Sequence, residues 1–322
     1  MKKRIALVLA VVAALSGLVA ATTGYGKENK KIKVVLLQGV RGDEFYVSMG
    51  CGVQAAAKKL GNVDTSIQGP AKFDASLQIP ILNALIAKKP DVIMMAPTDT
   101  KALIAPMKAA KAAGIKVIEV DTHVTDPSIS ISKIASNNVL GGVKAAQALA
   151  GLTGAKGEWM VMNVKPGIST TDQRQQGFEK QTKTYKNVKY LGAQFDDDDA
   201  AKAASIMSAQ LAAHPKLNGV FGANLFSAEG AATGVRNAGK QTQVKIVGFD
   251  AGPAQVQQLK QGLVQSLVAQ EPYDIGYQAV QQAVNAMTGK PVKKKIQTGL
   301  VIVTKANIGQ PNVSKYLYKS KC

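Results

Sequence analysis

KPDVIMMAPTDTKALIAPMKAAKAAGIKVIEVD, residues 89–121, and HPKLNGVFGANLFSAEGAATGVRNAGKQTQVKIVGFD, residues 214–250, share one order of parts. Each has a proline, a short apolar run, a polar loop, an Ala-rich helical pattern closed by Ala-Gly, a second apolar run and a terminal Asp. Apolar runs too short for helices, separated by a helix, read as a βαβ unit feeding a parallel sheet. Two such units this far apart imply two similar α/β domains. The length of 322 residues allows two domains of ordinary size. A content of 46% hydrophobic and 19% charged residues is that of a globular chain.

Working outward, residues 33–37, 91–95 and 116–120 read as strands, as do 157–162, 219–221 and 244–247. Residues 47–60, closed by Gly61, read as a helix, and so do 100–113, ended by Gly114, 200–213 and 228–238. In open parallel α/β sheets ligands sit beyond the carboxyl ends of the strands. Asp121 and Asp250 each end a strand, so with two lobes their crevices can face each other.

The N-terminus reads as a secretory signal over residues 1–21: Lys2, Lys3 and Arg4, then an apolar run to about Leu15, a break at Ser16-Gly17, and small residues Val19-Ala20-Ala21 for cleavage. The run is shorter than the roughly 20 apolar residues of a membrane span, and no Cys follows it to carry a lipid. An extracytoplasmic destination permits a disulfide between the two cysteines, Cys51 and Cys322. Two separate thiols are the other reading. The formal net charge is +19, yet the lysines are dispersed and no nucleic-acid motif accompanies them, so solvated faces are the simpler reading and no nucleic-acid partner is expected.

Candidate site residues follow the strands. After the first strand come Asp43, Phe45 and Tyr46. A carboxylate accepts from pairs of hydroxyls and an aromatic face packs on the C–H face of a sugar ring, although the two aromatics also suit a staple at the helix start. The nearby glycines form neither GxGxxG nor GxxxxGK[ST]. Thr98 and Asp99 suit capping. Asp121 has no helix immediately after it to cap. Arg174 opens a helix after a strand, aimed at the crevice. Asn224, Asp250 and Gln270 end the later strands. The acidic run of Asp196 to Asp199 lacks the spacing of a calcium loop. It suits capping of the helix from Ala200, with Asp198 in reach of the ligand. His123 lies close enough to Asp121 to line the same crevice; His214 reads as loop. No GxSxG elbow, HExxH or CxxC is present, so neither an enzyme nor a cofactor or metal site is expected.

These residues also carry a resemblance. GDEFYVSM around Asp43, APTD from Ala96, EVDT ending at Thr122, IASNNVLGG from Ile134, DQRQQGF from Asp172, FGANLFSAEGA from Phe221, VGFD ending at Asp250 and VAQEPYDIG from Val268 occur in an order and spacing that resemble the ribose-binding-protein type of sugar-binding component of ABC importers, the type I periplasmic binding proteins. The resemblance spans about residues 32–303. It implies two Rossmann-like lobes with parallel sheets joined by a three-strand hinge, here 32–136 with 271–299 and 137–270 with 300–322. It implies ligand contacts at Asp43, Phe45, Tyr46, Asp121, Arg174, Asn224, Asp250 and Gln270, and a cleft position at Phe249. Where the ribose binder has Asn in its NPTD loop this chain has Ala96; where it has Arg after the second crevice's Asp this chain has Thr122. Its Asn beside the aromatics is Asp43 here, and an aromatic near the acidic loop shifts toward Phe195. These departures tell against ribose while keeping a neutral monosaccharide or polyol.

The implied function is a periplasmic solute-binding protein, a monomer, that delivers its sugar to an ABC permease in the inner membrane. The same module could instead serve chemotaxis or sense a furanose signal. A repressor of the same core fold would carry an N-terminal helix-turn-helix where this chain has a leader.

Overall fold

Short runs of Val, Ile, Met and Leu, apolar on both faces, form the centres of two sheets, because only a strand covered by helices on both sides buries such a run. The computed structural model describes residues 31–322, and the expected leader lies outside them. Elements are numbered in chain order. The first sheet contains β1 (Ile32–Leu37), β2 (Val63–Gln68), β3 (Val92–Met95), β4 (Lys116–Val120), β5 (Ser132–Ser136) and β11 (Lys295–Thr298), in the order β11-β5-β4-β3-β1-β2. The second contains β6 (Lys156–Asn163), β7 (Asn187–Phe195), β8 (Leu217–Gly222), β9 (Lys245–Phe249), β10 (Ser266–Gln270) and β12 (Leu300–Val303), in the order β12-β10-β9-β8-β6-β7. The two orders superpose position for position, so the repeated βαβ unit extends to the whole lobe. One asymmetry remains: β11 runs parallel to β5, whereas β12 runs antiparallel to β10.

The helices are α1 (Glu44–Leu60), α2 (Ala75–Lys88), α3 (Ile104–Ala112), α4 (Asn138–Thr153), α5 (Ser169–Thr182), α6 (Ala200–Ala213), α7 (Leu225–Asn237), α8 (Pro253–Gln261), α9 (Pro272–Met287) and the short α10 (Pro311–Ser314). Helix α6, capped by Asp199, starts at Ala200 as its pattern suggests, whereas three other starts are moved by a capping side chain. Asp43 accepts from the Phe45 N–H and begins α1 at Glu44. Asn224 accepts from the Ser227 N–H and begins α7 at Leu225, so Asn224 is a cap and β8 has already ended at Gly222. Asp99 accepts from the N–H groups of Lys101 and Ala102, which holds a turn and delays α3 to Ile104.

The chain passes between the sheets three times, between β5 and α4, between β10 and α9, and at Gly299 between β11 and β12. The crossings are tied together. The Glu271 carboxylate accepts from the Gly299 N–H at 3.0 Å, and the hydroxyls of Ser136 and Thr298 lie 3.3 Å apart. Away from them the lobes touch through the Thr100 N–H to the Gly167 carbonyl (3.0 Å), the His123 N–H to the Ser169 hydroxyl (2.9 Å) and the Lys165 ammonium to the Phe73 carbonyl (3.3 Å). This is the closed arrangement.

After β12 the chain does not stay with the second sheet. The Tyr318 N–H donates to the Ala251 carbonyl, the Lys319 N–H donates to the Ser48 hydroxyl on α1, and Cys322 is disulfide-bonded to Cys51 on α1. The expected boundary placed 300–322 wholly with the second lobe; its last residues lie on the first. The Cα atoms of the bridge are 5.3 Å apart across 271 residues of sequence, so the reading of two separate thiols does not hold. Chain entropy alone would assign a loop of that length about 5.6 kcal/mol.

Helices α4 and α5 touch backbone to backbone. A Cβ on Gly142 would lie 1.9 Å from the Arg174 carbonyl oxygen, and one on Gly177 2.0 Å from that of Val139. Gly142→Val is therefore expected to lower unfolding free energy by about 1–3 kcal/mol or more in denaturant titration. Because the clash falls on Arg174, the same variant should also bind ligand more weakly.

Candidate functional site

Where the carboxyl ends of both sheets face each other they line a cavity between the lobes, the place where open α/β sheets bind ligands. Asp43, Phe45, Tyr46, Asp121, Arg174, Asn224, Asp250 and Gln270 line it together. Phe249 does not: its ring is fully buried beneath the cavity with the Arg174 guanidinium 3.7 Å from its centroid. Phe73, Val164, Ile168, Thr170, Thr171 and Asp198 complete the lining. Of the other expectations, Thr98 and Asp99 serve local hydrogen bonds, His123 lines a different surface cleft, and Phe195 is partly exposed on the end of β7.

The two repeat aspartates occupy matched places. Asp121 follows β4 with φ of 61° and Asp250 follows β9 with φ of 79°. The left-handed region costs a non-glycine residue about 1–3 kcal/mol unless the surroundings hold it there, and Asp tolerates it better than most. The surroundings do hold both. The Asp121 N–H donates to the Ile134 carbonyl on the neighbouring strand, and the Asp250 N–H to the equivalent Val268 carbonyl. Asp198, also in this region (φ 64°), donates its N–H to the Asp196 carboxylate.

Each of the four lining carboxylates has one oxygen engaged by the protein and leaves the other without a donor among the described residues. Asp43 Oδ1 accepts from the Phe45 N–H at 2.7 Å, and Asp121 Oδ2 from the Tyr46 hydroxyl at 2.9 Å. Asp198 Oδ1 accepts from the Asn224 amide. Asp250 Oδ1 accepts from Gln270 Nε2 and from the Tyr318 hydroxyl, both at 2.7 Å, while its Oδ2 lies 3.9 Å from the Arg174 guanidinium. Arg174 donates from Nε to Asn138 Oδ1 and from one terminal nitrogen to the Ala223 carbonyl, both at 2.9 Å. Its other terminal nitrogen is left for the cavity. Phe45 and Tyr46 both reach the lining although consecutive: they meet edge to face with centroids 5.2 Å apart, and Phe45 also belongs to the core beneath.

Ionisation is costly for three of the lining acids, Asp43, Asp121 and Asp198. Burial pushes Asp121 up to about 6, with Arg174 opposing. Burial pushes Asp198 up to about 7, opposed by the Asn224 hydrogen bond and aided by the charges of Asp196 and Asp250. Asp43 lies well above the ordinary carboxylate range, chiefly through burial and then through the charges of Asp198 and Asp250. The arrangement offers strong acceptors, a few fixed donors and an aromatic wall. It suits a neutral ligand rich in hydroxyl groups and repels an anion.

The pH dependence follows with its sign. Between about pH 4 and 7 these raised groups bind more protons in the native than in the unfolded chain, so stability of the ligand-free protein falls as pH rises through that window. Ligand hydroxyls donate best to ionised carboxylates, so stabilisation by ligand has the opposite slope. Thermal unfolding of the free protein should occur at a higher temperature at pH 5 than at pH 8, and the increment produced by ligand should be larger at pH 8. An increment that grows toward low pH would contradict the roles of Asp121 and Asp198.

Comparison with known proteins is consistent with this geometry. A family model described as periplasmic binding protein domain matches residues 34–291. The ribose import binding protein of Escherichia coli K12 is 33% identical over 309 residues, covering 95% of this chain and 99% of that protein. The D-allose-binding periplasmic protein of the same organism is 26% identical over 279 residues, covering 84% of this chain and 88% of that protein. Among solved structures, an ABC transporter solute-binding protein from Agrobacterium vitis bound to α-D-tagatopyranose has a TM-score of 0.88 at 44% identity, covering 90% of this chain and all of that one. A carbohydrate transporter solute-binding protein from Agrobacterium radiobacter in complex with D-arabinose has a TM-score of 0.85 at 30% identity, covering 89% and 99%.

Proposed function

The chain belongs to the periplasmic binding protein family, and from that premise we propose that it captures a neutral monosaccharide or polyol between its lobes and delivers it to an ABC-type permease, without altering it chemically. The observation that carries the reading is a set of four carboxylates, Asp43, Asp121 and Asp250 buried and Asp198 partly so, each held by the protein through one oxygen, around one arginine that faces the second oxygen of Asp250. Held acceptors bind hydroxyls without first being ordered, so little of the interaction is lost to entropy. A hydrogen bond to a charged group contributes about 1.5–3 kcal/mol. Several of them, offset by ordering costs, reach the roughly −8 kcal/mol of a micromolar complex.

Related proteins bound to tagatose and arabinose support the sugar class, and the pyranose bound by the relative with 44% identity makes a ketohexose pyranose the first ligand to test. We assign Asp43, Phe45, Tyr46, Asp121, Arg174, Asn224, Asp250 and Gln270 to ligand contact, and Phe249 to holding Arg174 flat. The lobes would be 32–136 with 271–299 and 137–270 with 300–322, apart from the tail described above. Ligand bridges both lobes, so binding favours closure, and a permease reads the closed form. The reading includes a monomer exported to the periplasm.

The test is calorimetry with tagatose, arabinose, ribose, allose, fucose and common polyols. Asp121→Ala and Arg174→Ala should each weaken Kd by at least about 100-fold, with far-UV circular dichroism unchanged. Unaltered affinity in both variants, or no heat with any neutral carbohydrate, would overturn the assignment.

A further inference from the structure

The tail that crosses between the lobes also reaches the back of the site. Tyr318 is buried and does not line the cavity, but its hydroxyl donates to Asp250 Oδ1 at 2.7 Å and accepts from the Gln270 N–H at 3.3 Å. Its ring meets Phe45 edge-on at 5.8 Å. One residue thus touches three cavity residues, two from the second lobe and one from the first. Its hydroxyl shares Asp250 Oδ1 with Gln270 Nε2, which fixes the carboxylate plane and turns Oδ2 toward Arg174.

What seats Tyr318 is the strap around it. On one side Lys315 pairs with Glu271 at 3.0 Å, the carboxylate that also binds Gly299 at the crossings. On the other side Lys319 is bonded to Ser48 and Cys322 is covalently attached to α1. Three crossings are chain continuity; the disulfide makes a fourth that encloses them. A tail of this length with few buried apolar groups would fray if it depended on its own packing; the bond removes that freedom.

We propose that Tyr318 is a positioning residue of the binding site, acting through Asp250, and that the Cys51–Cys322 disulfide is what keeps it seated. The inference rests on the functional reading above. Removing the phenol oxygen leaves Asp250 Oδ1 held by Gln270 alone and its plane less fixed, and removing the disulfide unseats the whole ring.

The experiment is a double-mutant cycle with the full mature chain and the neutral sugar that wild-type protein binds most tightly in the panel above. Tyr318→Phe keeps the ring and its contact with Phe45. It should weaken Kd about ten-fold, and lower the ligand-free unfolding temperature by less than the loss of the disulfide does. Paired Cys51→Ser and Cys322→Ser substitutions should weaken Kd by a similar factor and lower the unfolding temperature. Combined, the losses should not multiply, because both remove the same hydrogen bond. A merely structural role for Tyr318 predicts no loss in Tyr318→Phe and a loss only in Tyr318→Ala. Wild-type affinity in Tyr318→Phe, or fully multiplicative losses, overturns the inference while leaving the sugar-binding reading intact. A wild-type protein that binds no neutral sugar overturns both.

Discussion

The burial of one guanidinium among several carboxylates is the constraint around which the site is organised. A charged arginine cannot shed its charge when water leaves, so every face of Arg174 must be met. Phe249 meets the plane, Asn138 and Ala223 take two of its N–H groups, and Asp250 supplies opposite charge from 3.9 Å. Those partners come from α4, the β8–α7 loop and the end of β9, so the second lobe must be fully assembled before the arginine is satisfied. The acids have the reverse problem. They outnumber the arginine, and burial pushes Asp43, Asp121 and Asp198 toward protonation until a ligand's hydroxyls replace the missing donors.

The duplicated sheets explain why the acids converge. Each lobe ends one central strand with an aspartate in a left-handed conformation whose N–H is held by the next strand. Placing two such lobes face to face puts two strained, hydrogen-bonded carboxylates on opposite walls. The lobes then diverge in how they steady them: the first uses Tyr46, from its own α1, and the second uses Gln270 and a tyrosine from the far end of the chain.

Much of this was legible in the sequence because it is local. Strands β3, β4, β8 and β9 are apolar runs with clear stops, and Asp121 and Asp250 fall one residue beyond such a run. What escaped is non-local or unpatterned. Strand β2, VDTSIQ, is an edge with polar residues and no apolar run. Phe73, Thr170 and Thr171 reach the cavity from loops and a helix start whose neighbours carry no periodic signal. Asp198 was expected within reach of the ligand and lines the cavity, but the left-handed turn that aims it could not be read from composition. Helix α7 begins three residues before the periodicity suggested, since a cap from Asn224 replaces the missing apolar stripe. Tyr318 sits in a tail without pattern, and the one clue to its place was a cysteine four residues further on, paired with one on α1.

The close backbone approach of α4 and α5 at Gly142 and Gly177 sets a mechanical consequence. It welds α5, which carries Arg174, to α4, whose first residue, Asn138, both binds Arg174 and follows directly on the first crossing. Arg174 therefore grips from beside the pivot, where a given force has a short moment arm. Asp43 and Asp198 also border the wider gap where Lys165 meets Phe73, and force applied there turns the lobes with more leverage. Strength of holding and power of closing are thus divided between the two ends of one cavity, as they are between the rivet and the handles of a pair of tongs.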